Sequence, residues 1–478
     1  MADPLALFPF ALAAGGGRID EHDASQLVAA GTTLLQRSAP LVRALAGKRS
    51  AILLPTGTAY FTALAASDGR GAVLLNPLAS AREIAAQLHE SDVGAVFTNN
   101  ALASRLPDGV PIVLLDNAPG TARTLIDGRT ADVDLGDHFG LSLEGSAEAE
   151  GRDEEAIVVY SSGMNGYMRG ARLTHRNLLS SARSTIVAAD MDSDSHSLAL
   201  LPMAHLFGLV VSTGAPLIAG ARVTTMERYN PMRALDIIAS DGITHLSAVP
   251  SVYAGLLQAM ERRGASFVDH ALRVCIVGGA PLDVSLQDKW AEMTRVELRQ
   301  GYGLTEAGPV CSFNLANAPN RRGTIGVPFP GVEMSIRSVI GDDVALPAED
   351  VGEICVRGVN VFAGYVGNAT DALEIRDGWL RTGDLGIRDE GGTYEFRGLK
   401  KAMFTRNGFN IYPHEIERVV CELAGVEHAV VSSSPDPVKE NEIVLDIQGE
   451  VAEGAVREWC ARNLSVYKQP NIVRVTAR

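Results

Sequence analysis

Short apolar runs that alternate with helical segments constrain the fold of this chain more than any other feature. Runs rich in Val, Ile and Leu occupy residues 51–55, 71–77, 93–99, 111–116, 156–161 and 273–279. Strands that are apolar along their whole length are covered on both faces, as in parallel sheets packed between helices. The segment 80–92 has helical periodicity and begins with Ser80, a residue type that commonly caps a helix. The pattern therefore predicts an α/β fold with helix-covered β-sheets.

The pattern of apolar runs and glycines changes twice towards the C-terminus. From about residue 320 to 398, short glycine-punctuated runs such as "VGEICVRG" are typical of antiparallel strands and predict a small β-barrel. Beyond residue 399, a helix with Pro413 in its first turn, two strands and a second helix predict a small α+β domain. A chain of 478 residues is too long for one compact core. We therefore expect an N-terminal domain at 1–398, which includes the barrel, and a C-terminal domain at 399–478.

Charge and cysteine pattern exclude several classes of protein. The net charge of −15, without a block of lysine or arginine, disfavours a nucleic-acid groove. The scattered cysteines form no C-x-x-C pair, which disfavours a zinc site and a disulfide framework. The apolar run at 209–223 is broken by Gly and Pro, which is typical of buried core and not of a membrane span. The apolar N-terminal stretch follows Asp3 without a basic segment, so a cytoplasmic enzyme is favoured.

A glycine-rich stretch, "YSSGMNGYMRG" at 160–170, directly follows the apolar run at 156–161. Successive backbone N–H groups in such a turn form a concave anion site, and glycine allows close approach to a phosphate. The pattern G-x-x-x-x-G-K-[ST] is absent. Alone, the stretch is weak evidence, because a glycine-rich turn after a strand is more often only a turn.

Further stretches in a fixed order give this loop a context: "IVGGAPL" (276–282), "QGYGLTEAG" (300–308), "GWLRTGDLG" (378–386) and "NGFNIYPHEIE" (407–417). Together with "YSSGMNGYMRGARLTH" they resemble the AMP-forming adenylating enzymes, which include acyl- and aryl-CoA synthetases, peptide-synthetase adenylation domains and luciferases. The resemblance runs from about residue 50 to the C-terminus. It implies that 1–398 binds the adenylate and acyl group and that 399–478 is a mobile lid.

The resemblance assigns roles on the nucleotide side of the site. Tyr302 would cover one face of the adenine, and Thr305 would hydrogen-bond the α-phosphate. Glu306 would hold Mg²⁺, and Asp384 would accept both ribose hydroxyls. Taken singly, these residues read as a core tyrosine, a helix N-terminus and a turn aspartate. Further nucleotide- or cofactor-binding positions implied by the resemblance are Ser161, Ser162, Gly163, Gly166, Arg169, Gly278, Gly279, Ala280, Lys401 and Gly408.

On the acyl side, His205 in "PMAHLFG" matches the family position beside the acyl pocket and the path of the incoming thiol. A lone histidine is more often a core residue, and only the flanking Pro and Gly favour this assignment. The resemblance implies a pocket lined by Phe207, Val211, Gly301 and Gly303. The segment after His205 lacks the aspartate that amino-acid-activating relatives carry. A flat aromatic or an aliphatic acid is therefore favoured over an amino acid.

The chain departs from the family pattern on the phosphate side. Arg169 stands where the loop of relatives carries lysine, and Leu399 replaces an arginine that helps to hold the ribose, for which the nearby Arg397 is a candidate substitute. Relatives carry a further lysine beyond the position at which "YKQPNIVRVTAR" ends; it is missing if Arg478 is the natural end, and a shortened chain is the alternative. We therefore expect weakened handling of ATP. The other departures are Ser161, Met164 and Asn165 for threonines, Met168 for proline and Ala402 for an acid.

These observations predict activation of a carboxylic acid as acyl-AMP and transfer of the acyl group to a thiol. The implied cofactors are ATP or AMP, Mg²⁺ and coenzyme A, or the phosphopantetheine of a carrier protein. Because several residues of the family's phosphate-binding pattern are replaced, an alternative stays open: an ATP-independent acyltransferase that moves an acyl group from acyl-CoA to a carrier thiol. A non-catalytic ligand-binding homologue is a further alternative, and the retained Tyr302, Glu306 and Asp384 count against it. The sequence also leaves open a homodimer.

Overall fold

A computed structural model describes residues 8–67, 71–117, 120–136, 153–161, 168–264, 269–339, 344–367, 375–400 and 404–476. The helices in these ranges are α1 (Phe8–Ala14), α2 (Ala24–Arg37), α3 (Ala39–Ala44), α4 (Ala59–Ala66), α5 (Ala81–Glu90), α6 (Asn100–Ala103), α7 (His175–Ala188), α8 (Ala215–Ile218), α9 (Pro231–Ser240), α10 (Pro250–Arg263), α11 (Val284–Thr294), α12 (Pro413–Val420) and α13 (Glu453–Asn463). A π-helix spans Phe207–Gly214, and 3₁₀ turns span Thr305–Ala307 and Val466–Lys468.

The strands are β1 (Arg18–Ile19), β2 (His22–Asp23), β3 (Arg49–Leu53), β4 (Ala72–Leu74), β5 (Val93–Thr98), β6 (Ile112–Leu114), β7 (Thr121–Ile126), β8 (Arg129–Asp134), β9 (Glu155–Ser161), β10 (Arg169–Thr174), β11 (His196–Ala199), β12 (Arg222–Thr225), β13 (His245–Ala248), β14 (Val274–Val277), β15 (Leu298–Tyr302), β16 (Ser312–Phe313), β17 (Val327–Pro328), β18 (Val332–Arg337), β19 (Gly352–Gly358), β20 (Ile375–Arg376), β21 (Trp379–Arg388), β22 (Tyr394–Leu399), β23 (Phe404–Arg406), β24 (Phe409–Ile411), β25 (Val426–Asp436), β26 (Glu440–Gly449) and β27 (Ile472–Thr476).

Two large mixed sheets form the framework. One has eight strands in the order β10-β9-β4-β3-β5-β6-β7-β8, and the other has nine in the order β17-β16-β15-β14-β13-β11-β12-β1-β2. The pairs β4/β9, β3/β4, β3/β5 and β5/β6 of the first sheet and β11/β13, β13/β14 and β14/β15 of the second are parallel. The apolar runs of the sequence become β3, β4, β5, β6, β9 and β14, so the predicted α/β class is confirmed.

The start of α5 shows how local sequence chemistry sets a helix boundary. Ser80 Oγ accepts a hydrogen bond from the backbone N–H of Glu83, and the Glu83 carboxylate accepts one from the backbone N–H of Ser80 at 2.7 Å. This reciprocal capping box satisfies two backbone donors that the helix leaves unpaired. The helix predicted to begin at Ser80 is thereby confirmed, and its first turn becomes important below.

The segment predicted as a small barrel forms an open five-stranded antiparallel sheet. Its strand order is β18-β19-β21-β20, with β22 paired to β21. This sheet is half of a barrel, and its strand β21 carries the predicted ribose-binding Asp384.

Residues 404–476, which we call the C-terminal module, contain a hairpin of β23 and β24, helices α12 and α13, and a sheet of β25, β26 and β27. The helix and strands predicted beyond residue 399 are confirmed. The division of the chain at 399 and the mobility of its C-terminal part stay predictions. The module has an apolar core of its own that includes Ile411, Ile416, Val420, Ala429, Leu445 and Val456.

The apolar run at 209–223 lies in the interior, as predicted. It forms the π-helix Phe207–Gly214, then α8 and the start of β12. Among the described residues, no helix combines the length and the apolar character that crossing a membrane requires.

Candidate active site

A cavity of about 560 Å³ opens where the nine-stranded sheet, the half-barrel and the C-terminal module meet. The described ranges exclude Ser162, Gly163, Met164, Asn165, Gly166, Lys401 and Ala402, so the predictions on these residues lie outside the described structure. Of the predicted site residues that are described, those that line the cavity are Ser161, His205, Phe207, Val211, Gly278, Gly279, Ala280, Gly301, Tyr302, Gly303, Thr305, Glu306, Asp384 and Gly408.

Parallel strand pairing explains why distant motifs meet here. Residues 278–280 follow β14, and Tyr302 ends its parallel neighbour β15. The carboxyl ends of parallel strands open at one edge of a sheet, where ligands of α/β folds bind. A Cβ atom on Gly278 would lie 3.3 Å from the carbonyl oxygen of Gly301. A Cβ atom on Gly301 would instead lie 3.1 Å from Phe313 Cδ2, so a side chain at either position would crowd these strand ends, which line the cavity.

Tyr302 and Asp384 are joined across the cavity. The phenol O–H donates a hydrogen bond to Asp384 Oδ2 at 2.7 Å, although the residues lie 82 positions apart. Burial raises the pKa of Asp384 to about 6, with a further contribution from the nearby carboxylates of Glu353 and Glu306 and an opposing one from the Tyr302 hydrogen bond. Burial also raises the pKa of Tyr302, so its hydroxyl keeps its proton. Asp384 is thus a fixed acceptor whose charge changes near pH 6.

Glu306 is buried, with 6% of its surface exposed, and its carboxylate is held by neutral groups. Its Oε1 accepts hydrogen bonds from Ser161 Oγ at 2.5 Å and from the Tyr365 hydroxyl at 2.8 Å. In the described part of the chain, no group of three His, Cys, Asp or Glu residues could form a metal cage. No cation in the described part of the chain pairs with Glu306, and such a carboxylate suits Mg²⁺, which in nucleotide sites takes one or two carboxylates together with phosphate oxygens and water. The residues present therefore fit the predicted metal.

Arg169 does not line the cavity, in contrast to the other described candidates. It begins β10 opposite Ser161 of β9, and its guanidinium lies 5.7 Å from the ring centroid of Tyr365. Its Nη1 is buried and has no hydrogen-bond partner among the described residues. Arg169 thus lies over the ring of Tyr365, whose hydroxyl donates to Glu306. Its contact with a phosphate stays a prediction.

The end of the cavity predicted to hold the acyl group is apolar. The π-helix Phe207–Gly214 contributes Phe207 and Val211, and such local widenings of a helix occur frequently at functional sites. Phe313 and Phe329 stack with centroids 6.3 Å apart and planes 2° apart, and both line the cavity. The lining here also includes Ala188, Ala189, Ile276, Val277, Val310 and Ile325.

His205 connects this apolar end to the C-terminal module. Burial lowers the pKa of His205, so its imidazole is neutral at neutral pH. The His205 ring contacts Phe409, with centroids 5.4 Å apart, and Phe409 stacks on Tyr467 at 4.3 Å. Next to them, Gly408 has a φ of +75°, and a Cβ atom there would lie 2.8 Å from Val249 Cγ1. Only glycine fits this close approach between the module and the end of β13.

Lys400 is the one Lys or Arg among the described residues that lines the cavity. Its Nζ lies 2.9 Å from Oε2 of Glu353, a fully buried carboxylate that also accepts from the backbone N–H of Gly383. The substitution of the missing family arginine by Arg397 is wrong, because Arg397 pairs with Glu395 at 2.7 Å and does not line the cavity. Leu399 itself lines the cavity opposite Asp384, to which it is paired in the sheet.

Sequence reasoning missed several residues of the site. Tyr365, Glu353, Lys400, Phe409 and Tyr467 were not identified, because each acts through a partner far away in the sequence. The aromatic pattern of "NGFNIYP" was the available signal for Phe409, since two aromatic residues closely follow the glycine and aromatic side chains favour stacked contacts.

Comparisons with known proteins agree with this geometry. The profile of the AMP-binding enzyme family matches residues 41–366. The chain is 28% identical over 461 residues to a long-chain-fatty-acid–CoA ligase of Bacillus subtilis strain 168, and the alignment covers 89% of this chain and 81% of the relative. It is 30% identical over 441 residues to a feruloyl-CoA synthase of an Amycolatopsis species, and that alignment covers 90% of this chain and 85% of the relative. A malonyl-CoA ligase solved with methylmalonyl-CoA and AMP superposes with a TM-score of 0.78 at 28% identity, covering 96% of this chain and 95% of that one.

The fold, with its cavity at the carboxyl ends of β14 and β15, is that of an AMP-forming adenylating enzyme. The chain belongs to the AMP-binding enzyme family. The predicted resemblance is confirmed.

Proposed function

We propose that this protein activates an apolar carboxylic acid as an acyl-AMP and transfers the acyl group to the thiol of coenzyme A. The observation that carries the proposal is one continuous cavity in which three features meet. These are the Tyr302–Asp384 pair, the buried Glu306 and an apolar pocket that ends at His205 and Gly408. The names of the relatives, a fatty-acid–CoA ligase and a feruloyl-CoA synthase, support an aliphatic or aromatic acid.

The proposed reaction has two steps. In the first, an oxygen of the acid carboxylate attacks the α-phosphorus of ATP, the bond to pyrophosphate breaks, and acyl-AMP forms. In the second, the thiol sulfur attacks the acyl carbon, the thiol proton is lost, and AMP leaves. Bound Mg²⁺ neutralises the phosphate charge that the carboxylate must approach. Glu306 would hold the metal, and Ser161 and Tyr365 would keep its carboxylate oriented.

We assign the second step to the face of the C-terminal module that packs on His205. Residues 399–478 would act as a mobile lid, as rotation of such modules between steps gates access to a site. In the arrangement described above, Gly408 and Phe409 face the acyl pocket. A thiol arm would pass along the backbone of Gly408, where no side chain obstructs it.

The proposal is tested by incubating the protein with ATP, Mg²⁺, CoA and a panel of aromatic and aliphatic acids. Mass spectrometry should detect acyl-AMP without CoA and acyl-CoA with it. A product that needs no ATP, such as an acyl group moved from acyl-CoA to a carrier thiol, would instead establish the acyltransferase alternative. Binding without any product would establish the ligand-binding alternative.

We expect the acyl pocket to select uncharged acid tails. Phe207, Val211 and Phe313 offer no charge to a second polar group, and Lys400 is already paired with Glu353. Burying an unpaired ammonium or a second carboxylate is costly. Aromatic and medium aliphatic acids should therefore bind, measured by calorimetry, whereas free amino acids and malonate should not. Micromolar affinity for an amino acid would refute this assignment.

We expect AMP binding to strengthen as the pH rises through about 6, the pKa of Asp384. Only the ionised carboxylate accepts hydrogen bonds from two ribose hydroxyls. The contribution of Asp384 to folding stability depends on pH in the opposite direction to AMP binding. A carboxyl whose folded pKa is raised takes up protons more readily in the folded state, so its contribution to stability falls as pH rises between about 4 and 6. The AMP dissociation constant should be roughly tenfold higher at about pH 5 than at about pH 7.5, and Asp384→Asn should weaken binding and abolish this pH dependence. A pH dependence that persists in the variant would assign it to another group.

We expect Leu399→Arg to tighten AMP binding. Leu399 lies opposite Asp384 in the β21/β22 ladder and lines the cavity, so a guanidinium there would lie beside the ribose and the Asp384 carboxylate. A charge-assisted contact of this kind contributes about 1.5–3 kcal/mol, roughly a tenfold gain or more in affinity. The control is Arg397→Leu, two residues earlier and outside the cavity, which should leave the affinity unchanged. Equal effects of the two substitutions on affinity would show that Leu399 has no special position.

A further inference from the structure

The ammonium group of Lys468 is buried between two carboxylates from different parts of the fold. Its Nζ lies 2.8 Å from Glu83 Oε1 and 2.7 Å from Glu415 Oε1, and the lysine is 1% exposed. Glu415 belongs to α12 of the C-terminal module, but Glu83 belongs to the first turn of α5, which packs beside the eight-stranded sheet. One ion pair thus lies within the module, and the other crosses to the rest of the chain.

Other polar contacts surround the crossing pair. Ser465 Oγ donates to Glu83 Oε2 at 2.5 Å, so both oxygens of this carboxylate are occupied by the module. Arg82, next to Glu83, donates to Asn463 Oδ1 at 3.2 Å and to Glu422 Oε1 at 3.1 Å. We call this set, Arg82, Glu83, Glu422, Asn463, Ser465 and Lys468, the α5 contact.

A chain of packed rings leads from the α5 contact to the acyl pocket. Tyr467 precedes Lys468, and its ring stacks on Phe409 at 4.3 Å with an interplanar angle of 19°. Phe409 in turn contacts His205 at 5.4 Å. Anchoring Lys468 therefore also anchors Tyr467 and Phe409, and with them the turn at Gly408 that meets Val249.

We infer that Glu83 and Lys468 are positioning residues for the thiol-transfer step, which hold the C-terminal module so that Gly408 and Phe409 face His205. The inference rests on the proposed function, because it assigns the contact to one of the two proposed steps. Glu83 also lines the cavity, as do Ser465 and Tyr467, but the assignment gives neither Glu83 nor Lys468 a contact with a substrate. They act through Tyr467 and Phe409.

The physical chemistry of a buried ion pair suits such a role. Its attraction is largely offset by the cost of removing both charges from water, so it adds little net stability. Loss of Lys468 leaves the two carboxylates without their cation, and loss of Glu83 leaves Lys468 with Glu415 alone, so both changes are unfavourable. Such a pair therefore favours one geometry of the module over nearby ones without making its release costly, since both charges are rehydrated together when the contact opens.

The structure supplies matched variants that separate positioning from folding. Glu83→Gln removes the charge on the α5 side, and glutamine still completes a capping box with Ser80. Lys468→Met removes the charge on the module side. Glu415→Gln weakens only the pair within the module. Arg462→Ala, in an exposed ion pair with Glu458 on α13, is a surface control.

The test supplies the activated acyl group directly and measures its transfer. 4-Coumaroyl-AMP and decanoyl-AMP are mixed with CoA, and thioester formation is followed with the adenylate that the unmodified protein uses faster. Glu83→Gln and Lys468→Met should lower the transfer rate by at least about tenfold. The dissociation constant for AMP should stay within about twofold of its original value, and Arg462→Ala should change neither quantity.

Amide hydrogen exchange provides a readout that does not depend on activity. Exchange should rise in α5 and α12 of the Glu83→Gln variant while β25, β26 and β27 keep their protection, because only the docking of the module is weakened. If the unmodified protein transfers neither acyl group, the proposed function fails, and exchange alone then decides whether the α5 contact holds the module.

Three results would overturn the inference. One is a transfer rate of Glu83→Gln equal to that of the unmodified protein. Another is equal loss of AMP binding and of transfer, which indicates general damage to the fold. The third is a rise in exchange throughout the module in Glu83→Gln, which would make the contact structural.

Discussion

Glu306→Gln should lower acyl-AMP formation by about 10²–10³-fold, the usual effect of removing one preorganised group that stabilises charge in a transition state. The carboxylate is buried, lines the cavity and, among the described residues, accepts hydrogen bonds from the hydroxyls of Ser161 and Tyr365. Glutamine keeps the shape of the side chain but loses the charge that attracts Mg²⁺. The measurement is ATP-dependent acyl-AMP formation by mass spectrometry at saturating acid, repeated over a range of Mg²⁺ concentrations.

The design includes two comparison variants. Tyr365→Phe deletes one hydrogen bond to Glu306 and should cost less, roughly tenfold. Glu333→Gln alters an exposed glutamate that pairs with Arg357 on the half-barrel, and it should leave the rate unchanged. Thermal unfolding should show all three variants folded. Acyl-AMP formation by Glu306→Gln at the original rate would remove this residue from metal binding.

Gly408→Ala should lower thioester formation by about tenfold to a hundredfold while acyl-AMP formation stays nearly unchanged. Two physical effects combine at this position. The backbone has a φ of +75°, which costs a residue with a side chain about 1–2 kcal/mol. The added methyl would also lie 2.8 Å from Val249 Cγ1, which forces the turn away from the end of β13 and from His205. The measurement is transfer from supplied acyl-AMP to CoA.

A double variant separates the two effects. Val249→Ala removes both methyl groups but keeps a Cβ atom 3.0 Å from the added methyl. Gly408→Ala combined with Val249→Ala should therefore recover part of the rate lost to the clash and none of the part lost to backbone strain. Gly454→Ala is the matched control, because no atom lies within 4 Å of the position its Cβ would take. Transfer that is insensitive to Gly408→Ala would show that the thiol arm does not pass this turn.

The phosphate side of the site illustrates where family comparison and structure diverge. Comparison with the family pattern identified the loss of arginine at Leu399 and pointed to Arg397 as a nearby cation. The structure instead places Lys400 at the cavity and pairs Arg397 with Glu395 on the strand surface. The β21/β22 ladder shifts register between Leu385 and Gly386 and skips Arg397 at a bulge, so nearness in sequence to Leu399 did not predict which cation lines the cavity.

Local sequence alone determined the class of the fold, whereas the candidate site was predicted through the family resemblance. Apolar runs predicted strands such as β3 and β14, and Ser80 predicted the start of α5. The motifs around Gly278, Tyr302 and Asp384 carried the resemblance that predicted an adenylate site, and these residues line one cavity. These signals are readable because strand periodicity, helix capping and glycine turns depend on neighbours a few residues apart.

Only the tertiary structure decided which side chains act together. Tyr365 holds Glu306 from 59 residues away, and Lys468 meets Glu83 across 385 residues. The charge of each of these groups is visible in the sequence, but its burial and its partner are not. A buried lysine is tolerated only where carboxylates surround it, and that condition is created by the packing of α12 and α5 against the same side chain.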